Sequence, residues 1–311
     1  MEIKISVRGL VEFLLRSGDI DNRIHQGGAD AMQEGGRIHR MIQKSMGPDY
    51  HAEFPLSYTA SFGEYDLTVE GRADGILDSH MNDTLTSLEV QQNSFLPTER
   101  FAPMIDEIKG TYRDLAKMKE PVAVHLAQAK CYGAMYLMDR HYPEADIRIT
   151  YCNIDTEEKR YFDQTYTYDE IVGWFLELLA QYRRWADFEF SWEKTRTDSI
   201  KQTQFPFPYR EGQKELAAAV YRTFVHQKKL FLEAPTGTGK TISTVFPAVK
   251  AMGEGKTGKI FYLTAKTIAR TVAEEAFDIL RTKEALRMKT VTITAKDKIC
   301  FIDEAVRKCN P

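Results

Sequence analysis

Cysteine is scarce in this chain. The four present, Cys131, Cys152, Cys300 and Cys309, are too few to staple 311 residues, so stability has to come from packed cores rather than from a disulfide framework. Long apolar runs are also missing. No stretch approaches the ~18 uncharged apolar residues of a membrane-spanning helix. The opening MEIKISVRGLVEFLL lacks the basic-then-apolar order of a leader peptide. No membrane partner is expected, and a cytoplasmic setting is the default. There is no internal repeat and no low-complexity tract, which excludes solenoid and tail-like architectures. Net charge is nearly absent at −3, but the balance conceals an asymmetry. From residue 201 onward there are 20 Lys and Arg against 11 Asp and Glu, whereas the first 200 residues carry 22 against 34. A basic segment after an acidic one is compatible with a nucleic-acid-facing tract in the second half.

What is present reads as two folded domains: 43% hydrophobic and 28% charged residues suit globular cores. Apolar spacing predicts helices over ISVRGLVEFLLRSG and ADAMQEGGRIHRMIQKS, the second despite the costly Gly35-Gly36 pair. The runs HAEFPLSYTASF and YDLTVEGRADGILD alternate as strands joined at GEY, and MIDEIKGTY is a third strand. A helix is expected over 122–140, a hairpin over ADIRITYCNI and RYFDQTYTY, and a long amphipathic helix over YDEIVGWFLELLAQYRRWADF. The order helix, three strands, helix, strands marks a mixed α/β domain over residues 1–190. The polar stretch 191–204 reads as a linker. In 205–311, strands KKLFLEAP, KIFYLTA and TVTITA alternate with helices, which predicts a parallel sheet.

The strongest motif is FLEAPTGTGKT, an apolar run, a Gly-rich turn and then a helix. Glycines let backbone N–H groups close around phosphates, and the helix N-terminus adds donors and a positive dipole end. Thr236, Gly237, Thr238 and Gly239 would form the cradle. Lys240 would reach the β/γ-phosphates and Thr241 would ligate Mg²⁺. The segment APTGTGKT resembles the Walker A motif of superfamily 2 helicases, closest to the DinG/XPD-like iron–sulfur branch. FPYREGQKEL is similar to that branch's adenine-reading motif, which implies that Arg210 and Gln213 hold the base. YLTAKT is similar to its DNA-backbone motif, through Thr264 and Lys266. The resemblance implies ATP as cofactor. It also implies an iron–sulfur insertion beginning at Cys300 and Cys309, complete only in the full-length protein, with Walker B beyond residue 311. Asp303-Glu304 follows no apolar strand and is not that box.

A second constellation spans residues 35–132: Gly35 and His39 one helical turn apart, Asp74 near the end of a strand, Glu107-Ile-Lys109, and Gln128 and Tyr132 one turn apart. Asp74 and Glu107 are hard oxygen donors for Mg²⁺ or Mn²⁺, and His39 can add an imidazole. Glu107 and Lys109, two apart on a strand, share a face, and the lysine can position water or stabilise phosphorane charge. Gln128 and Tyr132 would face the same site. This series resembles the PD-(D/E)XK nucleases, particularly the RecB-like group. A competing triplet, Glu89-Val-Gln91, lacks the lysine. Cys131 and Cys152 lack partners for a cluster and read as small buried hydrophobes.

The expectation is therefore an α/β chain with a PD-(D/E)XK nuclease-like mixed-sheet domain, then a partial RecA-like parallel-sheet P-loop domain. Its DNA partner would be single-stranded or branched. Two alternatives stand: a helicase whose front domain only binds DNA, and a P-loop ATPase of another class, against which YREGQ and YLTAKT argue.

Overall fold

The computed structural model describes residues 1–17, 28–79, 102–235, 237–264 and 267–294. The fold is α/β with a mixed sheet, and the chain divides into two compact units, one holding Met1–Ala186 and the other beginning at Asp187. No helix among the described residues is long and apolar enough to cross a membrane.

The first unit contains β1 (Glu2–Ser6), α1 (Val7–Leu15), α2 (Gly28–Ser45), β2 (Tyr50–Ser61), β3 (Asp66–Leu77), β4 (Met104–Thr111), α3 (Ala123–Arg140), β5 (Glu144–Asn153), β6 (Lys159–Thr167) and the start of α4 (Tyr168–Gln202). Strand order is β1-β3-β4-β5-β6, with β2 on the other edge of β3. The β2–β3 hairpin is antiparallel over nearly its whole length. The opposite edge of β3 is shared end to end. β1 pairs parallel to Asp66–Glu70, and β4 pairs antiparallel to Gly75–Leu77. Gly71 to Asp74 lie between these two ladders, at the point where the sheet forks.

Helices cover both faces. Side chains alternate along β4, so Ile108 points to one face, where it packs with Ile38 and Ile42 of α2 and with Cys152. Ile105 points to the other face, under α3. A Cβ on Gly133 of α3 would lie 2.7 Å from Ile147 and 3.7 Å from Ile105, so this glycine sets how closely the helix approaches the sheet. Cys131 and Cys152 are free and buried, as small apolar side chains. Two buried carboxylates are satisfied internally: Asp106 accepts from Thr150 (2.6 Å) and Tyr50 (3.1 Å), and Asp78 accepts from Tyr136 (2.6 Å) and Tyr142 (3.0 Å).

Three expectations are corrected. Ile5 and Ser6, expected to open the first helix, instead close a strand over Glu2–Ser6. Ile3 turns inward to full burial, and Ser6 caps the helix that follows by accepting from the Gly9 N–H at 3.0 Å. Residues 191–202 are helix rather than linker. Their hydroxyls bond back to the preceding turn, Thr195 to the Ser191 carbonyl (2.9 Å) and Ser199 to that of Arg196 (2.8 Å), while Ile200 is buried. Polar side chains that satisfy themselves along the helix need no apolar stripe.

The parallel sheet expected in the second unit is not formed among the described residues. That unit holds α5 (Gln213–Val225), α6 (Lys240–Gly253) and α7 (Thr267–Glu284), the last two sharing a core of Val245, Val249, Met252, Phe277 and Leu280. The runs 228–235, 259–264 and 290–294 carry no strand pairing. Phe231, Leu263 and Ile293 are 94%, 88% and 86% exposed. Apolar runs become parallel strands only when neighbouring strands complete their hydrogen bonds and helices cover their faces.

Candidate metal centre and phosphate loop

The fork in β3 places Asp74 where two strands diverge. Its carboxylate is divided in function. Oδ2 accepts from the backbone N–H of Ile108 at 2.7 Å, and Oδ1 lies 3.4 Å from Nδ1 of His39 on α2. Ile108 is the middle residue of Glu107-Ile-Lys109, so this one bond fixes Asp74 against that triplet. The Lys109 ammonium donates to Glu107 Oε1 at 2.5 Å, with Glu107 almost wholly buried and Lys109 partly open. His39, Asp74, Glu107 and Lys109 are thus brought together from three elements distant in sequence.

The electrostatics of the group follow from burial and from one another. Burial, and then the negative charge of Asp74, push the Glu107 carboxyl up to about 7, against the opposing pull of Lys109. Burial acts to lower His39, but its hydrogen bond to Asp74 and the charge of that carboxylate outweigh it, so the imidazole is raised. Tyr132 is buried on α3, within reach of the Glu107 and Asp74 charges, and its hydroxyl bonds the backbone at Arg72. A Cβ on Gly71 would lie 2.6 Å from that hydroxyl. Tyr132 therefore packs on the stretch of β3 between its β1 and β4 pairings, which leads to Asp74. Gln128, one turn earlier, is buried.

One residue that the sequence did not single out belongs to the group. His39, Glu53 and Asp74 each offer a ligand atom, and these atoms lie within 4.8 Å of one another. Imidazole plus carboxylate oxygens is a donor set that fits a divalent cation such as Mn²⁺ or Mg²⁺. The competing Glu89 and Gln91 lie outside the described residues, as do Thr236, Lys266, Cys300 and Cys309.

The raised Glu107 carboxyl has a consequence for stability. Between its ordinary value of 4.5 and about 7 the folded chain keeps a proton that the unfolded chain releases. Stability therefore falls as pH rises through that window. Glu107→Gln is expected to flatten this fall and, at about pH 8 in chelator, to stabilise the chain by about 1–3 kcal/mol. Urea titrations of both chains at several pH values check it. An unchanged pH dependence would show that Glu107 is not the titrating group.

In the second unit the turn at Gly237–Gly239 leads straight into a helix. Gly237 and Gly239 adopt φ of +84° and +69°, conformations that side chains resist, and Gly239 caps α6, which begins at Lys240. Lys240 Nζ donates to the carbonyls of Ala234 (2.7 Å) and Pro235 (2.8 Å). Arg210 donates to the Gly237 carbonyl, and Gln213 Nε2 to that of Thr238 at 3.2 Å. Arg210, Gln213 and the loop Gly237–Thr241 thus form one cluster. A lysine at a helix N-terminus is a combination that would suit a polyphosphate. Lys240→Ala is expected to eliminate ATP binding measured by calorimetry while leaving the far-ultraviolet dichroism unchanged. Retained binding would remove the loop from consideration.

No family model matches the sequence, and no curated protein matches it. Among solved structures the chain is similar to one described as "Crystal structure of SSO0001", at 15% identity and a TM-score of 0.33, covering 57% of this chain and 75% of that one.

Proposed function

We propose that the first unit is a metal-dependent DNA nuclease of the PD-(D/E)XK, RecB-like kind. We propose further that the second carries the nucleotide-binding start of a DinG/XPD-like helicase motor, so that the parent activity couples ATP-driven unwinding to strand cleavage inside the cell. The observation that carries the nuclease reading is the convergence of His39, Asp74, Glu107 and Lys109 at the fork between β3 and β4. Asp74, with one oxygen held by Ile108 N–H, offers the other to a cation. His39 turns a ring nitrogen to the same place, and Glu107 supplies a buried carboxylate beside it. When bound, Mg²⁺ or Mn²⁺ supplies positive charge at the scissile phosphate. Lys109, steered by its ion pair with Glu107, is placed to orient the attacking water or to donate to the charge growing on phosphate oxygen.

The test is a cleavage assay on labelled single-stranded and flap DNA, with Mg²⁺, with Mn²⁺ and with chelator. Products only in the presence of cation are expected. Intact DNA in all three, with binding retained, would reduce the unit to a DNA-binding domain.

A further inference from the structure

We propose that Glu53 is a ligand of this cation centre, contributed by the strand across from Asp74, and that Gln43 is the residue that positions it. The inference rests on the metal-centre reading above and adds a carboxylate to it.

The register of the hairpin carries the argument. Ala52 pairs with Gly75 and Phe54 with Ala73. Glu53 therefore stands directly opposite Asp74, and this one pair is absent from the ladder. Residues opposite each other on antiparallel strands project from the same face, so both carboxylates turn to the same side. Gln43 joins them from α2, one turn beyond His39. Its amide lies 2.9 Å from the Asp74 carbonyl and 3.2 Å from Glu53 Oε1. That leaves the second Glu53 oxygen for a ligand bond. A cation about 2.1 Å from its ligands holds neighbouring donors about 3 Å apart and opposite ones about 4.2 Å apart. His39 Nδ1 and Asp74 Oδ1 are already at 3.4 Å, and all three donors fall within 4.8 Å, so closure by roughly half an ångström completes the set. Glu53 also holds a φ of +52° within its strand, a conformation in which Asn is favoured over Glu. An imidazole among carboxylates suits Mn²⁺ better than Mg²⁺, which prefers an all-oxygen shell.

The opposed demands of backbone and ligand make the test decisive. Mn²⁺ binding by the full 311-residue chain is measured by calorimetry for the wild type, Glu53→Gln, Glu53→Asn and Asp74→Asn, with thermal melts in chelator. Both Glu53 variants are expected to bind Mn²⁺ about 10- to 100-fold more weakly. Glu53→Asn should melt at or above the wild-type temperature without metal, which separates loss of a ligand from loss of fold. Wild-type affinity in both Glu53 variants, with binding lost in Asp74→Asn, would overturn the role of Glu53 and leave the metal centre standing. No Mn²⁺ binding by the wild type would overturn both.

Discussion

Asp74→Asn is expected to lower metal-dependent DNA cleavage by at least about 10²–10³-fold while leaving the fold intact. Asparagine is the informative replacement because its carbonyl oxygen can still accept from Ile108 N–H, the bond that ties β3 to β4 at the site. What it removes is the negative charge on the oxygen facing His39. Asp74→Ala would remove both and confuse a chemical loss with a register loss. Glu107→Ala should be comparably inactive. Lys109→Met should lose a similar factor in rate, on the order of 10² or more, with Mn²⁺ affinity nearly unchanged, because the lysine acts on water and phosphate rather than on the cation. Single-turnover rates with calorimetry on the same preparations separate these outcomes. Cleavage that survives Asp74→Asn or Glu107→Ala would place the active centre elsewhere.

The largest stability effect is expected at a glycine. A Cβ on Gly75 would overlap the hydroxyl and ring of Tyr50. Tyr50 is buried, and its hydroxyl donates to the buried Asp106 carboxylate. The ring cannot yield without breaking that bond and leaving Asp106 with Thr150 alone. Overpacking and a partly stranded buried acid together are expected to cost about 2–5 kcal/mol in Gly75→Ala. Asp106 is itself raised, by burial first, so removal of a donor falls on a group already costly to ionise. A double-mutant cycle with Tyr50→Ala gives the cause. If the overlap is responsible, Gly75→Ala should cost far less when the ring is absent. Simple additivity would refute the steric account.

The sequence made the hairpin of β2 and β3 legible because one face of a half-buried ladder writes its alternation directly into the residues. Leu67, Val69 and Ala73, which share that face, are all fully buried. The pairing of Glu107 with Lys109 was legible for the same reason, two residues being one full period of a strand. β1 was hidden because its five residues are too few to show a clear alternation and run straight into α1. The second half of α4 was hidden because its polar residues are satisfied by hydroxyl-to-carbonyl bonds along its own axis, which leave no periodic signature. The apolar runs near 231, 263 and 293 carry the composition of parallel strands. Composition records what a segment can bury, whereas a ladder depends on a partner. Glu53 could not be found by inspection. Its place opposite Asp74 is a matter of register between two strands, and its positive φ belongs to a residue type that does not advertise one.

The pairing of Leu77 directly with Met104 puts the phase of β3 and β4 in the strands themselves. Phase is set locally, by the Ile108–Asp74 bond and by the few ladder pairs beside it. Slipping β4 by one residue would present Asp106 and Ile108 where Glu107 and Lys109 belong. The register of the sheet and the chemistry of the centre are therefore a single specification, since the carboxylate that faces His39 is also the group that holds β4 in step.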